Sequence, residues 1–118
     1  LVLDYNAFGD HVVLESDREV PTGDVDLTVQ VRRLDGMAGS AALVVDGEPA
    51  GSADLPLLMR LMTSSATSVG HDHGSPVSTR YDDPFPWSGT LHEVVVQASP
   101  GRAPGTAEAE ARAEASRQ

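Results

Sequence analysis

The sequence predicts an all-β protein, an antiparallel β-sandwich or jelly roll, that ends in a disordered or frayed helical tail. Two observations predict the sheets. Apolar and polar residues alternate with a period of two rather than 3.6, most clearly from Val25 to Val31. Short apolar runs are separated by turns rich in Gly, Pro and Asp, and none of them favours a core helix. We therefore expect residues 1–98 to form one β domain and residues 99–118 to form a linker and an Ala/Glu-rich tail.

The first half of the chain predicts strands joined by tight turns. The alternating run at Val25–Val31 is expected to have one buried and one exposed face. Ser40 to Val45 is the next predicted strand, and Asp46-Gly47 after it favours a two-residue type I′ turn, in which both residues have positive φ. Pro49 has no backbone N–H to donate. The returning segment, residues 50–55, is therefore expected to be short or to lie at a sheet edge.

The second half of the chain is more irregular in pattern. Residues 57–62 are predicted to be extended and residues 66–70 to form a short strand. His71 to Gly89 is rich in Pro and Gly and is predicted to be a long loop, of the length that is often functional. Thr90 to Gln97 is the last predicted strand, and its apolar residues on both faces favour a central position in the sheet. In the tail, a helix as short as residues 106–118 is marginal in water.

Charge and composition exclude several classes of partner. The net charge is −10, and the eight basic residues, all Arg, are scattered along the chain. Nucleic acids and anionic membranes bind clustered cations, so we expect neither as a partner. No apolar run approaches the roughly 20 residues that span a bilayer, and the first residues do not show the charged-then-apolar pattern expected of a signal peptide. The chain has no Cys, which excludes disulfides and thiolate chemistry.

Three segments resemble the C-terminal, non-catalytic domain of bacterial arylsulfatases of the alkaline-phosphatase-like superfamily. They are Leu3–Gly9, Leu43–Gly47, and a long stretch that runs through Val69-Gly70, Asp72, Gly74–Ser78, Tyr81, Pro84-Phe85 and Gly89–Leu91. The third segment is the most specific, since a dozen residues agree in order and spacing. The resemblance covers residues 1 to 97. A looser likeness to laminin-G-type and concanavalin-like jelly rolls also holds.

The resemblance implies an accessory domain of a sulfuric ester hydrolase. In that family the nucleophile is a formylglycine made from a Cys/Ser-x-Pro-x-Arg motif, beside a calcium ion. This chain contains no Cys and no Ser that begins such a motif. The formylglycine and the calcium would therefore belong to the parent's catalytic domain. We expect this chain alone to carry no catalytic residue and no cofactor, and to be inactive.

The resemblance also implies that the first strand begins inside a hairpin. In the family a further strand and turn lead into the segment that resembles Leu3–Gly9, so the domain is expected to be truncated at its N-terminus. The segment Leu1–Phe8 would then have an open edge, and open strand edges recruit other strands. We expect the chain to self-associate through this N-terminal strand.

The long loop carries the residues that we expect to contact an interface or a ligand, namely Asp72, Tyr81, Asp82, Asp83 and Trp87. Asp72 is predicted to cap backbone N–H groups in the turn ahead of Ser75. An alternative is that Asp72, Asp82 and Asp83 supply oxygen ligands to calcium, although no EF-hand-like spacing is present. The prediction for this chain is nevertheless that it holds no metal.

The aromatic residues of the same loop have two interpretations. Tyr81, Phe85 and Trp87 together form a candidate platform for stacking against a sugar ring. Alternatively, Phe85 anchors the loop in the core and Trp87 covers an end of the sandwich. The first interpretation corresponds to a lectin-like carbohydrate-binding module. The second corresponds to a domain that packs against the catalytic sulfatase domain and shapes substrate access, or to a structural or oligomerisation module.

Overall fold

A computed structural model describes residues 1–58 and 68–97 of the chain. Residues 1–88 form one unit, and residues from Gly89 onward belong to a second. The described residues of the first unit form five strands, which are β1 (Val2–Ala7), β2 (Asp10–Glu15), β3 (Leu27–Arg33), β4 (Gly39–Val45) and β5 (Glu48–Leu55). They form two antiparallel sheets of order β1-β2 and β3-β4-β5, and no helix occurs among the described residues. The predicted all-β, antiparallel class is confirmed.

The strands β1 and β2 form a tight hairpin. They pair from Val2 opposite Glu15 to Ala7 opposite Asp10. The two turn residues, Phe8 and Gly9, have φ values of 53° and 95°, and the Asn6 side chain closes the turn by accepting the Gly9 N–H at 2.7 Å. The sequence predicted the first strand but not its partner. One edge of β1 is therefore paired with β2, along the residues for which we expected an open edge.

The strands β3, β4 and β5 form a meander with β4 at its centre. Asp46 and Gly47 join β4 to β5 with φ values of 49° and 78°, which confirms the predicted type I′ turn. Pro49 lies opposite Val44, beside a register shift between Leu43 and Val44. The strand β5 lies at an edge of the sheet, as the presence of Pro49 predicted. It is eight residues long, so it is not short.

The hydrophobic core lies between the β1–β2 hairpin and the three-stranded sheet. Along β4 the buried residues alternate with half-buried ones, so one face of this strand is fully covered. Leu14 of β2 packs against that face in a cluster with Ala41, Leu43, Val45, Ala50 and Leu55. The backbone of β2 lies close to Gly51 of β5, where an added Cβ would be 3.2 Å from the Glu15 carbonyl oxygen. Just beyond, the Asp17 N–H donates to the Ala50 carbonyl at 2.8 Å. The arrangement is a small, sandwich-like pair of sheets.

The strand β3 is exposed along its whole length. Leu27, Val29 and Val31 pair with Val45, Leu43 and Ala41 of β4, so they share the face that is buried on β4. Yet 39%, 44% and 50% of their respective surfaces remain exposed. The prediction of one buried and one exposed face is therefore wrong for this strand. The physical reason is that the hairpin packs over β4 and β5, and does not bury the apolar row of β3.

Two predicted strands are not seen in the residues that the structure describes. Residues 68–70 are not in a strand, and residues 66 and 67 lie outside the described part of the chain. Residues 90–97 form no strand either, and Val95 and Val96 are 65% and 88% exposed, so the predicted central strand is wrong. Closely spaced apolar residues permit a strand, but a ladder also needs a neighbouring strand to receive its hydrogen bonds.

Several other predictions fall partly or wholly outside the described residues. Leu57 and Leu58 follow β5 without regular structure, whereas residues 59–62 of the predicted extended run are not among those described. The same holds for residues 98–118, which include the predicted domain boundary, the linker and the helical tail.

Candidate functional site

The loop of residues 70–87, hereafter the closed loop, is held together at its base by two backbone hydrogen bonds. The Trp87 N–H donates to the Gly70 carbonyl at 2.6 Å, and the Asp72 N–H donates to the Pro84 carbonyl at 2.8 Å. Gly70 has a φ of 79°, a conformation that favours glycine. The closed loop contains neither helix nor strand, as its Pro and Gly content predicted.

The carboxylate of Asp72 organises the interior of the closed loop. Its Oδ2 accepts the Tyr81 hydroxyl at 2.5 Å and the Val77 N–H at 3.0 Å. The bond from Tyr81, and then that from Val77, lowers the pKa of Asp72. The same Asp72–Tyr81 bond, with desolvation second, raises the pKa of Tyr81. The predicted capping role of Asp72 is thus observed, with the capped N–H at Val77 rather than ahead of Ser75.

Two aromatic rings of the closed loop stack on each other. The rings of Tyr81 and Phe85 lie 5.1 Å apart with an interplanar angle of 27°. Tyr81 is half-buried, but Phe85 is 64% exposed and Trp87 is 58% exposed. The expectation that Phe85 anchors the loop in the core is therefore wrong, because its ring packs on Tyr81 at the surface. Trp87 is too exposed to cover an end of the sandwich.

The closed loop is attached to the β1–β2 hairpin by an ion pair between Arg80 and Glu15. Both side chains are about half exposed, at 50% and 58%. Nearby, Ser78 is only 6% exposed, and its hydroxyl accepts the Arg80 N–H at 3.3 Å. Neither contact was predicted from the sequence. Ser78 belongs to a segment that carries the family resemblance, but no local pattern marks Arg80 and Glu15 as neighbours.

The acidic residues of the closed loop do not assemble into a metal site. Asp82 and Asp83 are exposed, and the Asp72 carboxylate is already engaged by Tyr81 and Val77. Across residues 1–58 and 68–97, no three His, Cys, Asp or Glu side chains are grouped so that they could hold a metal ion. The structure therefore does not bring Asp72, Asp82 and Asp83 together as calcium ligands.

The five residues predicted from the sequence to contact an interface or a ligand thus fall into two groups. Asp72 and Tyr81 are bonded to each other inside the closed loop, whereas Asp82, Asp83 and Trp87 lie on its surface. Phe85 joins the surface group through its exposed ring. The arrangement is a closed loop with an internal hydrogen-bonded pair and an outer surface that combines aromatic rings with carboxylates.

No helix in the described part of the chain is long and apolar enough to cross a lipid bilayer. Comparison of the chain with protein-family models, with curated proteins and with solved structures finds no match in any of the three. The likeness to the arylsulfatase domain therefore rests on the sequence segments named above.

Proposed function

We propose that the chain is a non-catalytic accessory domain of an arylsulfatase, and that its closed loop contacts the catalytic domain beside the substrate entrance. One observation carries the proposal. The third and most specific segment of the family resemblance includes residues that build the closed loop. Gly70 and Pro84 supply the carbonyl groups at its base, and Asp72 accepts the internal bond from Tyr81. The resemblance therefore coincides with a defined local structure.

The outer surface of the closed loop suits contact with another protein surface. Exposed aromatic rings such as those of Phe85 and Trp87 bury a large area at small entropic cost, and aromatic residues are enriched at interfaces. The two backbone bonds at the base and the Asp72–Tyr81 bond hold these rings in place before contact. Less conformational entropy is then lost on association. The nucleophile and the calcium ion would be supplied by the catalytic domain.

A glycan-binding function is the second candidate, favoured by the same exposed rings. The Tyr81–Phe85 stack and Trp87 offer aromatic faces, and Asp82 and Asp83 offer acceptors for sugar hydroxyl groups. A neutral glycan fits this surface better than a sulfated one, because the adjacent carboxylates repel sulfate. A structural or oligomerisation module is the third interpretation.

The accessory function can be tested in two stages. The first is to read the coding sequence upstream of the chain, where an in-frame Cys/Ser-x-Pro-x-Arg motif is expected. The second is to express the catalytic domain so encoded without the present chain, and to measure its turnover of an aryl sulfate and its Tm. Adding the chain in trans should raise both, while the chain alone should show no turnover above a heat-killed control.

The matched variants are Trp87→Ala and Met37→Ala. Met37 is equally exposed, at 59%, but lies in the turn between β3 and β4. Only Trp87→Ala should weaken binding to the catalytic domain. The concentration of chain needed for half of the effect should then rise by about tenfold, since interface aromatic residues often contribute at least 1 kcal/mol. Equal effects of both variants, or no effect of the wild-type chain, would contradict the proposal.

The glycan alternative has its own readout. Trp87 is the only Trp of the chain, so its fluorescence reports directly on the loop surface. A saturable shift of this fluorescence on titration with oligosaccharides, in the absence of any catalytic domain, would favour the glycan-binding function instead.

A further inference from the structure

We propose that β3 pairs antiparallel with β3 of a second copy of this chain, about a twofold axis at Val29. This inference goes beyond the proposed function and uses a different surface from the closed loop. It rests on three properties of β3, which are an edge that no described strand covers (hereafter the free edge), a register that its side chains favour, and charges that are complementary in that register.

The free edge follows from the sheet order. No described strand pairs with the side of β3 that faces away from β4. At one end of the β3–β4 ladder the Leu34 N–H donates to the Ala38 carbonyl, and at the other the Asp46 N–H donates to the Asp26 carbonyl. In an antiparallel ladder such hydrogen-bonded pairs alternate with non-bonded pairs. The even-numbered residues of β3 therefore bond to β4, and the odd-numbered residues direct their N–H and C=O groups to the free edge.

The odd-numbered residues at this edge are also the apolar ones. Leu27, Val29 and Val31 are partly exposed and lie on one face of the sheet. A twofold axis at Val29 places the two Val29 residues opposite each other, and places Leu27 of one copy opposite Val31 of the other. All of these are residues with outward N–H and C=O groups, so about six backbone hydrogen bonds can form. A shift of one residue would set apolar side chains opposite polar ones.

The charges at the ends of β3 favour the same register. Asp26 and Arg32 are both exposed and lie on the face opposite to the apolar row. With the axis at Val29, Asp26 of each copy stands directly opposite Arg32 of the other, which gives two symmetric attractive pairs. Moving the axis to Gln30 would instead place Arg33 opposite Leu27, and would remove both pairs.

The dimer would join the two three-stranded sheets into one of six strands. Its pairing would set two rows of partly exposed apolar side chains side by side, and it would satisfy the backbone groups of both free edges. The net charge of −10 on each copy opposes this association at low salt. The chain should therefore be studied at moderate salt, where repulsion between distant charges is screened.

Cysteine cross-linking tests the register directly, because the chain has no Cys of its own. In the proposed dimer the Cα atoms of the two Val29 residues lie about 5.5 Å apart, within disulfide range. The two Leu27 residues are separated by about 13 Å along the strands, too far for a disulfide. Mild oxidation with diamide should convert Val29→Cys to a covalent dimer. Leu27→Cys, on the same face, should stay monomeric on non-reducing gels.

A charge exchange tests the complementarity. In Asp26→Arg and in Arg32→Asp, both symmetric pairs become repulsive, so each variant should weaken dimerisation by about tenfold in sedimentation equilibrium. The double variant restores attraction with the charges exchanged, and should recover the wild-type dimer. Circular dichroism confirms that each variant is folded.

The proposal is overturned by any of three results. They are a wild-type chain that is monomeric at about 100 μM, equal cross-linking of Val29→Cys and Leu27→Cys, or failure of the double charge variant to recover dimerisation. A dimer that persists without Val29→Cys cross-linking would instead point to the expected association through β1.

Discussion

The hydroxyl of Tyr81 donates a hydrogen bond of 2.5 Å to the carboxylate of Asp72, across the interior of the closed loop. The bond joins two residues that lie nine positions apart, and a second bond from the Val77 N–H completes the site. Since a charged acceptor strengthens a hydrogen bond, each partner influences the protonation of the other. The loop geometry can therefore be followed by titration.

The Tyr81 hydroxyl is expected to ionise above its ordinary pKa of 10.0, because ionisation would end its donation to Asp72. The chain has two tyrosines, so Tyr5→Phe isolates the signal of Tyr81. In that background the absorbance of tyrosinate at 295 nm should rise late in an alkaline titration. Adding Asp72→Asn should lower the pKa of Tyr81, because it removes the negative charge. A titration curve that Asp72→Asn leaves unchanged would show that the bond is not formed in solution.

The Val77 N–H should lose its hydrogen bond to the Asp72 carboxylate in acid. The pKa of Asp72 lies below its ordinary value of 3.8 in the folded chain, so its carboxylate stabilises the loop fully above that value. This stabilisation is lost as the pH falls through the lowered pKa. Amide chemical shifts recorded from pH 6 down to pH 2 should report the loss at Val77. In Asp72→Ala the shift of Val77 should no longer follow this transition.

Gly39 should tolerate no side chain. A Cβ at this position would lie 2.7 Å from the Leu58 Cδ2 and 2.9 Å from the Arg32 carbonyl oxygen. The carbonyl belongs to the paired strand and has little room to move, so Gly39→Ala should destabilise the fold by about 2 kcal/mol. Urea unfolding measures the difference. Ser40→Ala, one residue along the same strand, is the control and should change stability by less than about 1 kcal/mol.

Leu43 should be the most sensitive core position. It is fully buried at the centre of β4, in the cluster that includes Leu14 and Leu55. Leu43→Ala should lower the free energy of unfolding by about 3 kcal/mol, from lost burial and from the cavity that remains. Leu34→Ala removes the same atoms from a side chain that is 49% exposed, and should cost less than about 1 kcal/mol. Equal losses in the two variants would contradict the core described above.

Part of the candidate site could be predicted from the sequence. The Pro- and Gly-rich composition predicted a long loop, and Asp72 was expected to cap backbone groups because a short carboxylate side chain does so in turns. Its bond to Tyr81 was not predicted, since the loop conformation decides which donor meets the carboxylate. The exposed position of Phe85 was also missed. Aromatic rings usually fill cores, and only the folded loop shows that Tyr81 provides the packing surface instead.

The sequence by itself determined the features that depend only on residues adjacent to one another in the chain. Period-two alternation predicted strand structure at β3, a short apolar run predicted β4, and Asp46-Gly47 predicted the turn after it, because these signals arise from local backbone geometry. The tertiary structure alone decided which strands pair and which faces are covered. Residues 90–97 carry apolar residues at a spacing that also predicts a strand, yet they form no ladder. Pairing and burial depend on groups that are distant in the chain, and a local pattern carries no information about where those groups lie.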